Sequence, residues 1–90
     1  MCTNIVERTN VSGGGRGAQG WFTLAEVSVS YDHPFHVQLE HALNIDFKNE
    51  SAGVGARVAV ELTLESAKAL ARALKAAVAR ADQYEATGYA

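Results

Sequence analysis

Three histidines and two carboxylates lie within one segment, YDHPFHVQLEH, which covers residues 31–41. Neutral imidazoles are the commonest metal ligands in proteins, and a zinc ion needs three or four donors within about 2.0–2.3 Å. One hypothesis is therefore a zinc or iron site with His33, His36 and His41 as ligands. A metal with an open position polarises a carbonyl or activates a water, which would allow hydration, hydrolysis or isomerisation of a small molecule.

A second hypothesis for this segment is a metal-free acid/base site. A histidine in an apolar stripe needs a partner for each ring nitrogen, and an organic ligand is one way to supply it. This hypothesis makes His41 and Glu40 the catalytic residues. The ligand would be bound by Tyr31, Asp32 and Arg16.

The third hypothesis is that the histidines are structural. His36 would then pair with Asp32 across two strands, His33 would be held extended by the following proline, and His41 would be a core residue bonded to backbone. The chain would in that case be a non-enzymatic interaction module or would bind a small metabolite without converting it. Residue types alone leave the three hypotheses open.

Strand geometry limits which of these side chains can meet. Successive side chains of a strand point to opposite faces, so His36 and His41, five residues apart, face opposite ways. His33 and His41 share the core-facing parity, and we expect this pair to meet. Convergence of all three histidines needs bends at Pro34 and near Glu40, or histidines from a second subunit.

The elements that position the segment follow from hydrophobic periodicity. Alternation with period 2 predicts strands over 3–11, 21–32, 36–48 and 56–62, and the glycine-rich stretch SGGGRGAQG between the first two is expected to be a mobile loop. Apolar residues at helical spacing after Thr63 predict an amphipathic helix over 64–82, followed by a fraying tail over 83–90. The sequence thus predicts a single α+β domain, 1–90, of order ββββα, with the helix packed on one face of a four-stranded antiparallel sheet.

The register of the sheet can also be predicted, because opposed residues share a face. A three-residue turn at 33–35 would place the second and third strands in register, and an opposite-charge pair favours one register for the last hairpin. The predicted pairs are Asp32 with His36, Tyr31 with Val37, Ile45 with Val58, Phe47 with Ala56, Asp46 with Arg57 and His41 with Leu62.

Composition excludes several classes of function. A net charge of −2 and a pI of about 5.8 provide no basic field for nucleic acid or acidic membranes. The charged residues of the predicted helix, Lys68, Arg72 and Lys75 among them, rule out a membrane span. The single cysteine, Cys2, cannot form an internal disulfide, and the first twenty residues lack the apolar run of a signal peptide, so a cytoplasmic protein is expected.

Two further expectations concern Cys2 and assembly. Cys2 is read as a small apolar residue at the start of a strand, although an exposed N-terminal aminothiol could also chelate a metal. One helix covers about 10–12 Å of a sheet nearly 20 Å wide. The uncovered aromatic surface, with Trp21, Phe35 and Phe47, predicts a homodimer or higher oligomer.

The stretches MCTNIVE, GWF, DHPFH, EHALNIDF and ARVAVELT resemble a family of small bacterial proteins found mostly in actinobacteria. The resemblance covers most of the chain, and DHPFH with EHALNIDF is its most distinctive part. It implies a bacterial origin and a stand-alone domain, and it carries no activity with it.

Overall fold

A computed structural model describes residues 3–88 of the chain. Its strands are β1 Ile5–Asn10, β2 Gly14–Gly17, β3 Gly20–Thr23, β4 Glu26–Asp32, β5 Ala42–Lys48 and β6 Arg57–Leu62, and its helix is α1 Leu64–Ala86. Strands β1, β4, β5 and β6 form one antiparallel sheet in the order β1-β4-β5-β6, and β2 pairs with β3 in a separate hairpin. The four-stranded antiparallel sheet and the C-terminal helix confirm the α+β class. Cys2 lies outside the described residues.

The sheet has one apolar and one polar face, as the period-2 pattern predicts. Because paired residues share a face, the registers of the three strand pairs assign every side chain. The apolar face carries Ile5, Glu7, Thr9, Val27, Val29, Tyr31, Leu43, Ile45, Phe47, Val58, Val60 and Leu62. The polar face carries Val6, Arg8, Asn10, Glu26, Ser28, Ser30, Asp32, Ala42, Asn44, Asp46, Lys48, Arg57, Ala59 and Glu61.

The predicted turn between β4 and β5 is wrong. Tyr31 pairs with Leu43, not with Val37, so the connection is the nine-residue segment 33–41, which we call the histidine loop. Phe35 has the parity of a core residue, yet its side chain is 98% exposed. The reason is that Pro34 cannot join the strand ladder and a carboxylate of β6 binds the backbone that follows it.

The last hairpin is shifted by two residues from the predicted register. Phe47 pairs with Val58 instead of Ala56, a slip that leaves each side chain on its predicted face because the side-chain period is two. A 3₁₀ turn, Glu50–Ala52, lengthens the connection. The predicted ion pair forms across the diagonal, with Nε of Arg57 donating to Oδ1 of Asp46 at 2.7 Å. This hydrogen bond and the attraction between the two charges raise the pKa of Arg57.

The glycine-rich segment is not an unstructured loop, because it forms the β2–β3 hairpin. The backbone of β2 lies directly on the start of β6, where a Cβ placed on Gly17 would come 3.0 Å from the carbonyl oxygen of Gly55 and 3.2 Å from that of Arg57. Glycine favours this approach, since a Cβ would force the neighbouring backbone to shift by a few tenths of an ångström.

The helix is longer than predicted and does not cover the sheet. Thr63 caps it through a hydrogen bond from the N–H of Ser66 to the Thr63 hydroxyl at 3.0 Å, and it continues to Ala86. No residue of α1 is buried, and every described helix residue after Ala67 is exposed. The expectation that α1 packs on its own sheet is therefore wrong. The physical reason is the connection: Thr63 alone separates β6 from α1, which is too short to fold the helix back over the strands.

Replacing Gly17 with Ala should destabilise the hairpin contact, because the new methyl group meets backbone oxygens and forces the neighbouring backbone to shift. We expect Gly17→Ala to lower the free energy of unfolding by about 1–3 kcal/mol, measured by urea denaturation. Gly14→Ala is the matched control, since a Cβ there meets Trp21 at an ordinary 3.7 Å. Equal stability of the two variants would contradict the close approach.

Candidate functional site

Two of the three histidines meet in the structure. The rings of His33 and His41 stack with centroids 5.0 Å apart, and the ring of Tyr31 lies 5.3 Å from that of His41. The loop returns the chain to the start of β5 beside the end of β4, which brings both ends of the histidine loop together. The expectation that His33 and His41 would be the pair that meets is confirmed, and we call these three rings the aromatic stack.

The remaining predicted ligands and catalytic groups are not gathered at this stack. His36 and Glu40 lie in the histidine loop as exposed residues. Among residues 3–88, no group of three or more histidine, cysteine or acidic side chains could hold a metal ion. Metal bonds to imidazole lie in the ring plane, whereas stacking sets the two planes side by side. Zinc or iron ligation would therefore need a rearranged loop or ligands from another copy.

Of the three predicted ligand-binding residues, Tyr31 lies in the aromatic stack, whereas Asp32 and Arg16 lie far from each other. Asp32 ends β4, and its Oδ1 accepts the backbone N–H of His33 at 2.8 Å. Arg16 lies in β2, exposed beside Trp21. Because β2 contacts the start of β6 while the histidine loop lies near the end of that strand, the structure does not bring Arg16 to the histidines.

The histidine loop is held to the sheet by one carboxylate. Glu61 of β6 accepts the backbone N–H of Phe35 at 2.6 Å, of His36 at 3.0 Å and of Val37 at 3.0 Å. Three consecutive N–H groups that converge on one anion form the concave arrangement called a nest. The hydrogen bond from Val37 contributes most to holding the pKa of Glu61 below its usual value, those from Phe35 and His36 add to it, and desolvation opposes the shift.

This contact creates a pocket on the polar face, between the strands and the histidine loop. Its volume is about 280 Å³, just below the range of about 300–1,000 Å³ that holds drug-sized ligands. We call it the polar pocket. Its walls are formed by Ser28, Ser30, Asp32, His33, Phe35, Asn44, Ile45, Asp46, Arg57, Ala59, Val60 and Glu61.

One polar atom in this pocket lacks a partner. The side-chain amide of Asn44 donates through Nδ2 to the backbone carbonyl oxygen of Asp32 at 3.3 Å, which turns its Oδ1 inward. That oxygen is buried, and no hydrogen-bond donor of the described chain reaches it. An unmet buried acceptor costs about 1–3 kcal/mol. A donor group in the pocket would remove this cost if the Asn44 side chain turned to meet it, because the oxygen is closed to solvent in this conformation.

Sequence reasoning missed the polar pocket. The signal was present, since Ser28, Ser30, Asn44 and Asp46 all carry the polar parity of their strands. Such a row is typical of a face in water, and nothing in the spacing shows that a loop will fold beside it.

A second, open depression of about 510 Å³ continues from the polar pocket past Asp46 and Arg57 toward the 3₁₀ turn.

The fold and the site define a small α+β protein with a polar groove on one face of its sheet and an apolar surface on the other. The chain belongs to DUF6295, a family of unknown function, whose sequence model matches residues 1–87. The resemblance seen in the sequence is thus confirmed at the level of the family. No curated protein and no solved structure shows a significant match to the chain. Among the described residues, no helix is long and apolar enough to cross a membrane.

The Glu61 contact should respond to pH. Its folded-state pKa lies below the ordinary value of 4.5, so its contribution is fully present above that value and is lost as the pH falls through the lowered one. We expect the amide proton shifts of Phe35, His36 and Val37 to change together in this acidic range in an NMR titration.

Glu61→Gln should give the acid-form shifts at neutral pH, because the amide is an uncharged and weaker acceptor. Glu40→Gln is the control, because it removes a negative charge from the histidine loop without touching Glu61. It should leave the titration unchanged. If the three amides do not change together in this acidic range, Glu61 does not control the loop.

Proposed function

We propose that this protein binds a small, positively charged organic molecule in the polar pocket and does not convert it. The observation that carries the proposal is the excess of hydrogen-bond acceptors in the pocket wall, to which the buried, unpaired Oδ1 of Asn44 adds one more when the side chain turns toward the pocket. A ligand rich in N–H donors supplies what the wall lacks. The proposal takes up the metabolite-binding interpretation of the sequence and moves the site from the histidines to the strands beside them.

Charge supports a cationic ligand. The pocket wall contains the carboxylates of Asp32, Asp46 and Glu61 and one guanidinium, that of Arg57. Arg57 is already paired with Asp46, so it balances one of the negative charges. The remaining negative potential favours an ammonium or guanidinium group over an anion.

The lining residues also support binding without turnover. General acid/base catalysis needs a group whose pKa is near the working pH and that reaches the reacting atom. The carboxylate of Glu61 in the pocket wall has a pKa below its usual value. Its oxygens already accept three backbone N–H groups. It is therefore a structural anion.

The polar pocket is tested with two variants of nearly equal shape. Putrescine, agmatine and ethanolamine serve as cationic probes, glucose as a neutral one and acetate as an anion, each at millimolar concentration. We expect a cationic probe to shift the amide signals of Ser28, Ser30 and Asn44 in NMR spectra. Asn44→Leu removes the unpaired acceptor and should weaken binding about tenfold, the effect of losing a hydrogen bond to a charged group.

Asn44→Asp is the matched control. Both substitutions remove the Nδ2 donor, but aspartate keeps an acceptor oxygen and adds a negative charge, so it should bind the cation at least as well as the unchanged protein. Equal binding by the two variants, shifts confined to another surface, or no shift with any cationic probe would contradict the proposal.

The metal and acid/base hypotheses remain the alternative for the aromatic stack. The observation that favours them is the approach of His33 to His41, which supplies two imidazoles of the three or four ligands a zinc site needs. Under this alternative, ligands from His36 or from a second copy complete the set, and Glu40 with His41 performs proton transfer.

Metal analysis tests the metal hypothesis for the aromatic stack. We expect protein without a histidine tag, purified after growth with added zinc and iron, to contain clearly less than one metal ion per chain by plasma mass spectrometry, because stacked rings do not direct their nitrogens at one point. A stoichiometric metal that is lost in both His33→Ala and His41→Ala would overturn this expectation and establish the metal site.

A cytoplasmic location stays a prediction from the single cysteine and from the lack of an apolar run in the first twenty residues.

A further inference from the structure

The apolar face of the sheet is left largely uncovered by the rest of the described chain. Among residues 3–88, the only buried apolar residues are Val27, Ala42 and Ala56. The β2–β3 hairpin covers the end of the face near Phe47 and Val58, while Val60 is classed as exposed and its neighbours Val29, Ile45 and Leu62 are half-buried. A chain of this composition should bury far more of its apolar side chains.

The exposed area measures what is missing. A compact monomer of 9.6 kDa exposes about 5,100 Å², whereas this chain exposes 7032 Å². The excess of about 1,900 Å² per chain, counted on both copies of a dimer, falls within the 2,000–5,000 Å² typical of obligate homodimers. The radius of gyration agrees, at 15.3 Å against about 12 Å for a compact domain of this length.

The second uncovered surface is the apolar stripe of α1. Its large residues are about half-exposed: Leu64 46%, Leu70 48%, Leu74 63% and Val78 53%. Leu70, Leu74 and Val78 follow one another at i+4, and Leu64 lies on the same side of the helix six residues before Leu70. Most of the stability of a helix in a protein comes from the packing of its apolar face, and this helix of 23 residues has little such packing on its own sheet. The stripe therefore needs a partner that its own sheet does not supply.

The two surfaces match each other in size. From Leu64 to Val78 the stripe runs about 21 Å at 1.5 Å per residue. The strands that form the apolar face have six or seven residues. At about 3.3 Å per residue, the face is about 20 Å long in the strand direction. Each chain thus presents one helix and one sheet face of equal length, and the one-residue connection at Thr63 keeps them from packing on each other.

Charge gives the pair a direction. Glu7 in the edge strand β1 is the one charged residue on the apolar face. Lys68, Arg72 and Lys75 lie along one flank of the apolar stripe of α1, at i, i+4 and i+7. A helix laid on the face with this flank toward β1 would pair Glu7 with a basic side chain, an arrangement that also disfavours the opposite orientation.

We propose that the occupant is a second copy of this chain, and that α1 of each copy packs on the open apolar sheet face of the other. Two identical helix-on-sheet contacts related by a two-fold axis form a closed dimer. Each helix gains the support it lacks, and each sheet gains the layer that its own helix does not provide. The polar pocket lies on the opposite face and stays open to solvent, so this proposal stands or falls independently of the proposed ligand.

The first test is the oligomeric state. Light scattering after size exclusion should give twice the chain mass of 9.6 kDa. Leu74→Glu places a charge in the stripe and should yield monomer with reduced helicity by circular dichroism. Ala76→Glu lies on the opposite side of α1, about 200° away, and should remain a dimer. A monomeric unchanged protein, or a Leu74→Glu variant that is still a folded dimer, would overturn the proposal.

The second test places the helix on the partner's sheet. Chains carrying Val60→Cys and chains carrying Leu70→Cys, both in a Cys2→Ser background and differing by a tag, are unfolded together, refolded and treated with a short bismaleimide. We expect covalent products that contain one chain of each kind. Crosslinks only between two Leu70→Cys chains would show helix-on-helix pairing, and absence of any mixed product would show that the sheet is not the contact. Either result overturns the reciprocal arrangement.

Discussion

The one-residue connection between β6 and α1 is the constraint on which the rest of the structure depends. Thr63 both ends the strand and caps the helix, so the chain has no length in which to reverse direction. Helix α1 is thereby directed away from the sheet that precedes it. The exposed stripe of α1, the open apolar face and the large surface area all follow from this local feature, and together they leave few apolar side chains buried among the described residues.

A second local contact organises the other face of the sheet. Glu61 reaches from β6 to the backbone of Phe35, His36 and Val37, and it thereby draws a loop of nine residues over the end of the polar face. Without this carboxylate, three backbone donors would depend on water. With it, the loop becomes a wall of the polar pocket. The path of the histidine loop, and not only its side chains, thus shapes this pocket.

The period of two along each strand separates the two surfaces. Every position on β4, β5 and β6 belongs either to the polar face, where we place ligand binding, or to the apolar face, where we place assembly. A substitution on one face should therefore leave the other nearly unaffected unless it unfolds the chain. In the aromatic stack, the rings of His33 and Tyr31 both pack against the ring of His41. The stack lies at the end of the sheet, where Tyr31 belongs to the apolar face and His33 also borders the polar pocket.

The sequence by itself determined the α+β class, the faces of the strands and the meeting of His33 with His41, because these depend on side-chain alternation and on local capping. It also indicated the Asp46–Arg57 ion pair, although in a register two residues away. The histidine loop, the pocket and the position of α1 were decided only by tertiary structure. Each depends on a contact between residues distant in the chain, such as Glu61 with Val37 or Gly17 with Gly55, and no periodic pattern records which distant groups will meet.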